Sequence, residues 1–224
     1  MDYEKINMGS YNIHLIKTDK FKTTTISVNF REKVEKHKIT IRKFLFQMLC
    51  STSLKYYTNR LFEIKLEDLY STGLSFNNIK FGNIINSYID IKFLDNKYSD
   101  DNLLDDAIDF LFEVIFNPNV IDNKFDLKSF KLVKDRIKLV IDSEKENIQK
   151  YTINRSLELM DKDDPASFNL WGYKEDLESI TVESLYEYYK EVLKTNIIDV
   201  IIVGNVDEDK IINIFKNKFN INTI

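Results

Sequence analysis

Two hydrophobic periods alternate along the chain. Tyr11–Lys17 (YNIHLIK) and Thr23–Phe30 (TTTISVNF) are short β-branched runs divided by a polar connection, and they predict neighbouring antiparallel strands. Arg31–Lys38 (REKVEKHK) then reads as a charged loop. From Ile39 to Ser53 the period lengthens: Ile41, Phe44, Leu45, Met48 and Leu49 recur at helical spacing and predict a helix with one face in a core. A second helix is predicted over Thr58–Thr72, with Leu61, Ile64 and Leu69 near one face and Gly73 as its stop. Leu74–Phe81 and Ile84–Leu94 return to strand patterning and flank Gly82-Asn83, a tight-turn pair.

The second half is richer in helix. Ser99–Asp101 supplies capping and acidic residues for a helix whose stripe is Leu104, Ala107, Ile108, Leu111, Phe112 and Ile115, and Pro118 stops it. A long helix is expected over Asp126–Asn147, with Phe130, Val133, Ile137, Val140 and Ile141 inward, and a further one reaching Met160. Thr181 caps a helix running to Thr195, with Leu185, Tyr189, Val192 and Leu193 on its core side. Asp199–Val203 (DVIIV) reads as a buried strand, and Gly204-Asn205 turns the chain into a last helix, Asp207–Phe219. Strands and helices are segregated into blocks. That order predicts an α+β fold: one antiparallel-dominated sheet packed with helices mainly on one face, in a single domain spanning residues 1–224.

Composition narrows the function classes. A net charge of −4 gives no basic footprint for nucleic acid. No apolar run approaches the length of a membrane span, and the N-terminus has no signal-like apolar core, so a cytoplasmic protein is expected. Cys50 is the one cysteine and is read as a small core residue.

The candidate chemistry is thin. The two histidines, His14 in a strand and His37 in the charged loop, have no second strong ligand near them in sequence, and they are read as structural and as solvated surface. Asp161–Pro165 (DKDDP) carries three carboxylates but not the spacing of a calcium loop, and is read as a turn with helix-capping residues. The strand–Gly–helix unit around Gly204 falls short of any phosphate-binding pattern and is read as a connection. On the first helix, Lys43, Phe46 and Gln47 occupy i, i+3 and i+4, the spacing of an H-x-x-E-H zinc motif, but supply none of its groups.

Several segments, in shared order, resemble one half of an insulinase/pitrilysin-type peptidase, the family that includes mitochondrial processing peptidase. They are KFKTTTISVNF, LEDLYSTGLSFNN, FNPNV with the helix after it, and ITVESLYEYYKEVLKTNIIDVIIVGNVDEDKI. The resemblance is greatest to bacterial zinc-peptidase-like proteins without the metal motif. It implies a metalloprotease-like (LuxS/processing-peptidase-like) domain. It also implies that Lys43, Phe46 and Gln47 stand where active relatives carry histidine, glutamate and histidine, and that Asp142 stands at the third-ligand position. The family's chemistry is thereby removed, no cofactor is expected here, and zinc is expected only in an active partner.

Family members pair two such domains to close a chamber around an unfolded peptide. The resemblance therefore implies a partner: a second peptidase-like domain, a zinc-bearing paralogue or a homodimer, with extended peptides as ligands and neither nucleic acid nor membrane. By the same resemblance the peptide-binding edge strand is Leu74, Ser75, Phe76 and Asn77. The expected function is a catalytically inactive domain or subunit that helps form the chamber. The competing expectations are an active zinc metallopeptidase using ligands from another domain or chain, and a purely structural interaction domain.

Overall fold

Six strands form one sheet in the order β1-β2-β8-β3-β5-β4. They are β1 (Asp2–Asn7), β2 (Tyr11–Lys17), β3 (Thr23–Lys33), β4 (Gly73–Phe81), β5 (Ile84–Leu94) and β8 (Ile197–Gly204). A two-stranded ribbon, β6 (Val120–Ile121) with β7 (Lys124–Phe125), lies apart from it. The helices are α1 (Ile39–Leu49), α2 (Asn59–Asp68), α3 (Leu103–Phe116), α4 (Leu127–Asp142), α5 (Ile148–Met160), α6 (Lys174–Ser179), α7 (Val182–Thr195) and α8 (Glu208–Lys218). This computed structural model describes residues 2–99 and 102–219. Of the capping cluster expected at Ser99–Asp101, Asp100 and Asp101 lie outside the described residues.

The sheet is α+β in the expected sense, and every pairing is antiparallel except that of β2 with β8. Alternate residues sink into the core: Ile13 and Leu15 on β2, Val28 and Phe30 on β3, Val200 and Ile202 on β8. The residues between them, such as Asn12, His14, Arg31 and Asp199, form a polar outer face. There the Asp199 carboxylate accepts from Asn12 Nδ2 (3.0 Å), faces His14 Nε2 (3.2 Å) and pairs with Arg31. Burial alone would raise the pKa of Asp199; the hydrogen bonds from Asn12 and His14 and the charge of Arg31 outweigh it and hold the carboxyl below its usual range. His14 is thus a half-buried structural histidine, its Nδ1 lying 2.9 Å from the Tyr3 hydroxyl.

Four expectations need correction. β2 and β3 are not neighbours: β8 inserts between them, pairing Val200 with Ile13 on one side and with Val28 on the other. The apolar run of β8 gains most from the sheet centre, and the five-residue link Thr18–Lys22 easily spans the two strand spacings, about 10 Å in all. β1 carried no strand signal, because it is polar and exposed; it forms as an edge by pairing with β2. α2 buries Phe62 and Leu66 rather than Leu61 and Ile64, which are 37% and 39% exposed. Both sets obey helical spacing, and the aromatic wins because Phe62 packs against Phe110 with ring centroids 5.1 Å apart. That helix is not stopped by Gly73, which opens β4. Tyr70 and Ser71, both at φ of 57°, turn the chain.

Two further boundaries shift. The long helix ends at Asp142 and gives way to a 3-10 turn, Ser143–Glu146. Arg31–Lys38 is only partly a loop, since β3 runs on to Lys33. Other local readings hold. Asp164 of the DKDDP turn caps the short 3-10 turn after it, accepting from Ala166 N at 2.7 Å, and Thr181 forms a reciprocal capping box with Ser184. Gly204 is a close approach and not a phosphate cradle: a Cβ there would lie 2.5 Å from Thr24 Oγ1. Cys50 is half-buried beside the core, and burial pushes its thiol pKa far up, with Asp90 adding to the effect.

α1 is buried on nearly every side, beyond the one apolar face expected of it. Arg42 has no exposed surface. Its Nε donates to Ser87 Oγ (2.6 Å) and its Nη2 to the Phe30 carbonyl (2.6 Å). Its Nη1 pairs with Glu32 and also donates to Asn196 Oδ1 (3.0 Å). Tyr188 and Asn196 donate back to the Glu32 carboxylate at 2.8 and 3.2 Å. One guanidinium thus ties α1 to β3, β5 and α7. Arg42→Ala would strand Glu32 among buried groups, so unfolding free energy should fall by about 3–5 kcal/mol. Chemical denaturation of the two proteins checks this, and an unchanged midpoint would show that the network is dispensable.

Candidate functional site

A groove of about 450 Å³ opens between the free edge of β4 and the segment Ala166–Trp171, with Lys43 of α1 reaching into it. The segment is held in place by short-range bonds that its sequence supplies. Asn169 Oδ1 accepts from Trp171 N (3.0 Å), and the Tyr173 hydroxyl accepts from Asn169 N (2.9 Å). Thr40 of α1 accepts from Tyr173 N (2.9 Å) and donates to Asp176 (3.2 Å). Gly172, at φ of +94°, lets the backbone turn hard against Thr40. Across the groove, Lys80 of β4 donates to the carbonyls of Pro165, Ala166 and Phe168.

Two cations meet one indole in this groove. Lys43 Nζ lies 4.2 Å and Lys150 Nζ 3.8 Å from the centroid of the Trp171 ring. Lys43 is 9% exposed, and among the described residues its ammonium hydrogen-bonds only the Trp171 carbonyl at 3.4 Å. Burial brings its pKa down to about 8, and repulsion from Lys150 adds to the fall.

The residues that the resemblance would place at a zinc motif do not fit zinc. Lys43 is a cation turned toward an aromatic ring, and Phe46 is wholly buried between the Phe30 ring (5.3 Å) and the Arg42 guanidinium (5.4 Å). Gln47 is half-buried on the same helix, and its backbone carbonyl accepts from Ser51 Oγ at 2.5 Å. Asp142 is not brought into the groove. It lines the neighbouring depression and lies 3.6 Å from Lys174 Nζ. Among the described residues no group of three or more His, Cys, Asp or Glu could hold a metal ion.

Of the edge-strand residues, Leu74 and Phe76 turn inward against the core, while Ser75 and Asn77 are exposed. Phe76 and Asn77 also line the groove. Three of its key residues, Lys80, Lys150 and Trp171, escaped the sequence reading. They come from separate segments with no shared motif, and the single tryptophan of the chain was the only signal that could have pointed there.

The comparisons agree with this architecture. The family model described as peptidase M16 inactive domain matches residues 179–220, which hold α7, β8 and α8. A probable inactive metalloprotease of Bacillus subtilis, YmfF, is 26% identical over 92% of this chain and 49% of its own. The crystal structure of a conserved protein from Enterococcus faecalis superposes with a TM-score of 0.91 at 26% identity, over 96% of this chain and 52% of that one. The chain is similar to M16-type peptidase domains.

A peptidase M16 inactive domain from Pseudomonas fluorescens shares the fold at 12% identity, with a TM-score of 0.75 over 97% of this chain and 50% of the other. The chain spans about half the length of the relatives it matches. Among its described residues no helix is long and apolar enough to cross a membrane.

The buried lysine makes a pH prediction. Lys43 titrates near 8 in the folded domain and near its ordinary 10.5 when unfolded. Below 8 it is charged in both states, and the folded domain bears the full desolvation cost. Between 8 and 10.5 the unfolded state binds the extra proton, so this contribution to stability rises with pH. Lys43→Met should accordingly be more stable than the parent at pH 7, by roughly 2 kcal/mol, with the gap closing toward pH 10. Denaturant titrations across that range decide it; a gap independent of pH would contradict the assignment.

Proposed function

We propose that residues 1–224 form one non-catalytic peptidase-like domain, which makes one wall of a peptide-binding chamber with a second peptidase-like domain, a zinc-bearing paralogue or a second copy of itself. Extended peptides would add to β4 through Leu74, Ser75, Phe76 and Asn77. The observation that carries this reading is a juxtaposition. Among the described residues β4 pairs only with β5, leaving its other edge open beside the groove, while the helix that would bear the zinc motif presents Lys43, Phe46 and Gln47. An open edge supplies main-chain hydrogen bonds to any extended chain, and adjacent pockets select its side chains. Hydrolysis needs a metal-bound or base-activated water, and neither the cation of Lys43 nor the buried ring of Phe46 provides one. We place this work in the cytoplasm; a secreted pool of the protein would overturn that placement.

The test is affinity purification of the tagged chain from its own cells, with the co-purifying proteins identified and zinc measured on both. The expected outcome is a peptidase-like partner and far less than one zinc per copy of this chain. Stoichiometric zinc on the purified chain alone would overturn the inactive reading. A lone monomer without a peptide ligand would overturn the chamber.

A further inference from the structure

The charge in the groove identifies what kind of peptide it suits. Three lysines, Lys43, Lys80 and Lys150, line it, and no Asp or Glu does, although the whole chain carries a net charge of −4. The Lys80 ammonium is satisfied by three carbonyls. Lys43 and Lys150 are not paired in this way: among the described residues neither makes an ion pair, and both rest on the Trp171 ring. A buried ammonium without a counter-charge is costly, and an arriving carboxylate would remove much of that cost. We infer that this groove selects extended peptides bearing an acidic side chain, whose carboxylate sits between Lys43 and Lys150 beside Trp171.

This inference rests on the reading of β4 as a peptide-binding edge. On that strand Phe76, Asn77 and Asn78 line the groove, Phe76 and Asn78 from the core-side face, and side chains directly opposite one another on paired strands lie on the same face. A peptide residue laid opposite Phe76 or Asn78 would therefore point its side chain to the Lys43 side. β4 runs from Gly73 to Phe81, so a chain paired along it continues beyond this point in both directions. For a peptide paired along the whole of that strand, the anion is a side chain, Asp or Glu, and not a chain terminus. The lowered pKa of Lys43 agrees: a bound carboxylate would raise it again and hold the ammonium charged.

Trp171 is the only tryptophan and reports directly on occupancy. A peptide matching β4 in length, nine residues of alternating Thr and Val with Glu at the centre, would be titrated while Trp171 fluorescence is followed, beside the same peptide with Gln or Lys at the centre. The Glu peptide should bind about tenfold more tightly than the Gln peptide, and more weakly as salt is added. Lys150→Gln, a change at an exposed position, should erase most of that preference. Lys43→Gln should do the same wherever it folds. Equal binding of Glu and Gln peptides, or tighter binding of the Lys peptide, would overturn the acidic preference and leave β4 augmentation standing. Failure of all three peptides to bind would overturn the augmentation reading and this inference with it. N-methylation of the bound peptide's backbone should abolish binding of either peptide; if it does not, main-chain pairing to β4 is wrong.

Discussion

A guanidinium with no access to water must find every one of its partners inside the protein, and Arg42 imposes that condition on the whole domain. Ser87 of β5, the Phe30 carbonyl and Glu32 of β3, and Tyr188 and Asn196 around α7 meet it. Once those bonds are made, the rotation of α1 about its axis is set. Phe46, one turn on, is locked between Phe30 and the guanidinium. Lys43, the next residue after Arg42, is turned toward the groove. The helix is thus a packing element, with Phe46 an aromatic core contact rather than a proton-transfer group.

The same helix holds the far wall of the groove. Thr40 bonds to both Tyr173 and Asp176, so the segment bearing Trp171 is fastened to α1 at one end and to Lys80 of β4 at the other. Two lysines from distant parts of the chain are thereby brought to one ring, in a position where neither finds a carboxylate. An arrangement that raises the energy of the unliganded state is a common mark of a binding site, because the ligand releases the strain. In the proposed reading the open edge of β4 would recruit main chain and the uncompensated charge beside it would select side chain.

How much of this could be read in advance depended on the range of the forces involved. Element types came through wherever local periodicity was strong, as in the stripe from Leu104 to Ile115, the capping box at Thr181 and the hairpin at Gly82. The choice between Leu61 and Phe62 as the buried face of α2 could not be made locally, since both sets satisfy a helical period; the position of Phe110 made it. Nor could the insertion of β8 between β2 and β3, which pairs residues nearly two hundred positions apart. β1 had no pattern to read, because its partner and not its composition makes it a strand.

By itself, then, the sequence determined the class of fold, the resemblance to insulinase/pitrilysin-type peptidases and the absence of zinc-binding groups at Lys43, Phe46 and Gln47, since each is written in local spacing or residue identity. Tertiary structure alone decided that β4 is an open edge, that Asp142 turns to a different depression, and that Lys43, Lys150 and Trp171 share one groove. The physical reason is that desolvation and Coulomb interactions depend on distance in space. Residues more than a hundred positions apart become a site only when the fold sets them a few ångströms from one another.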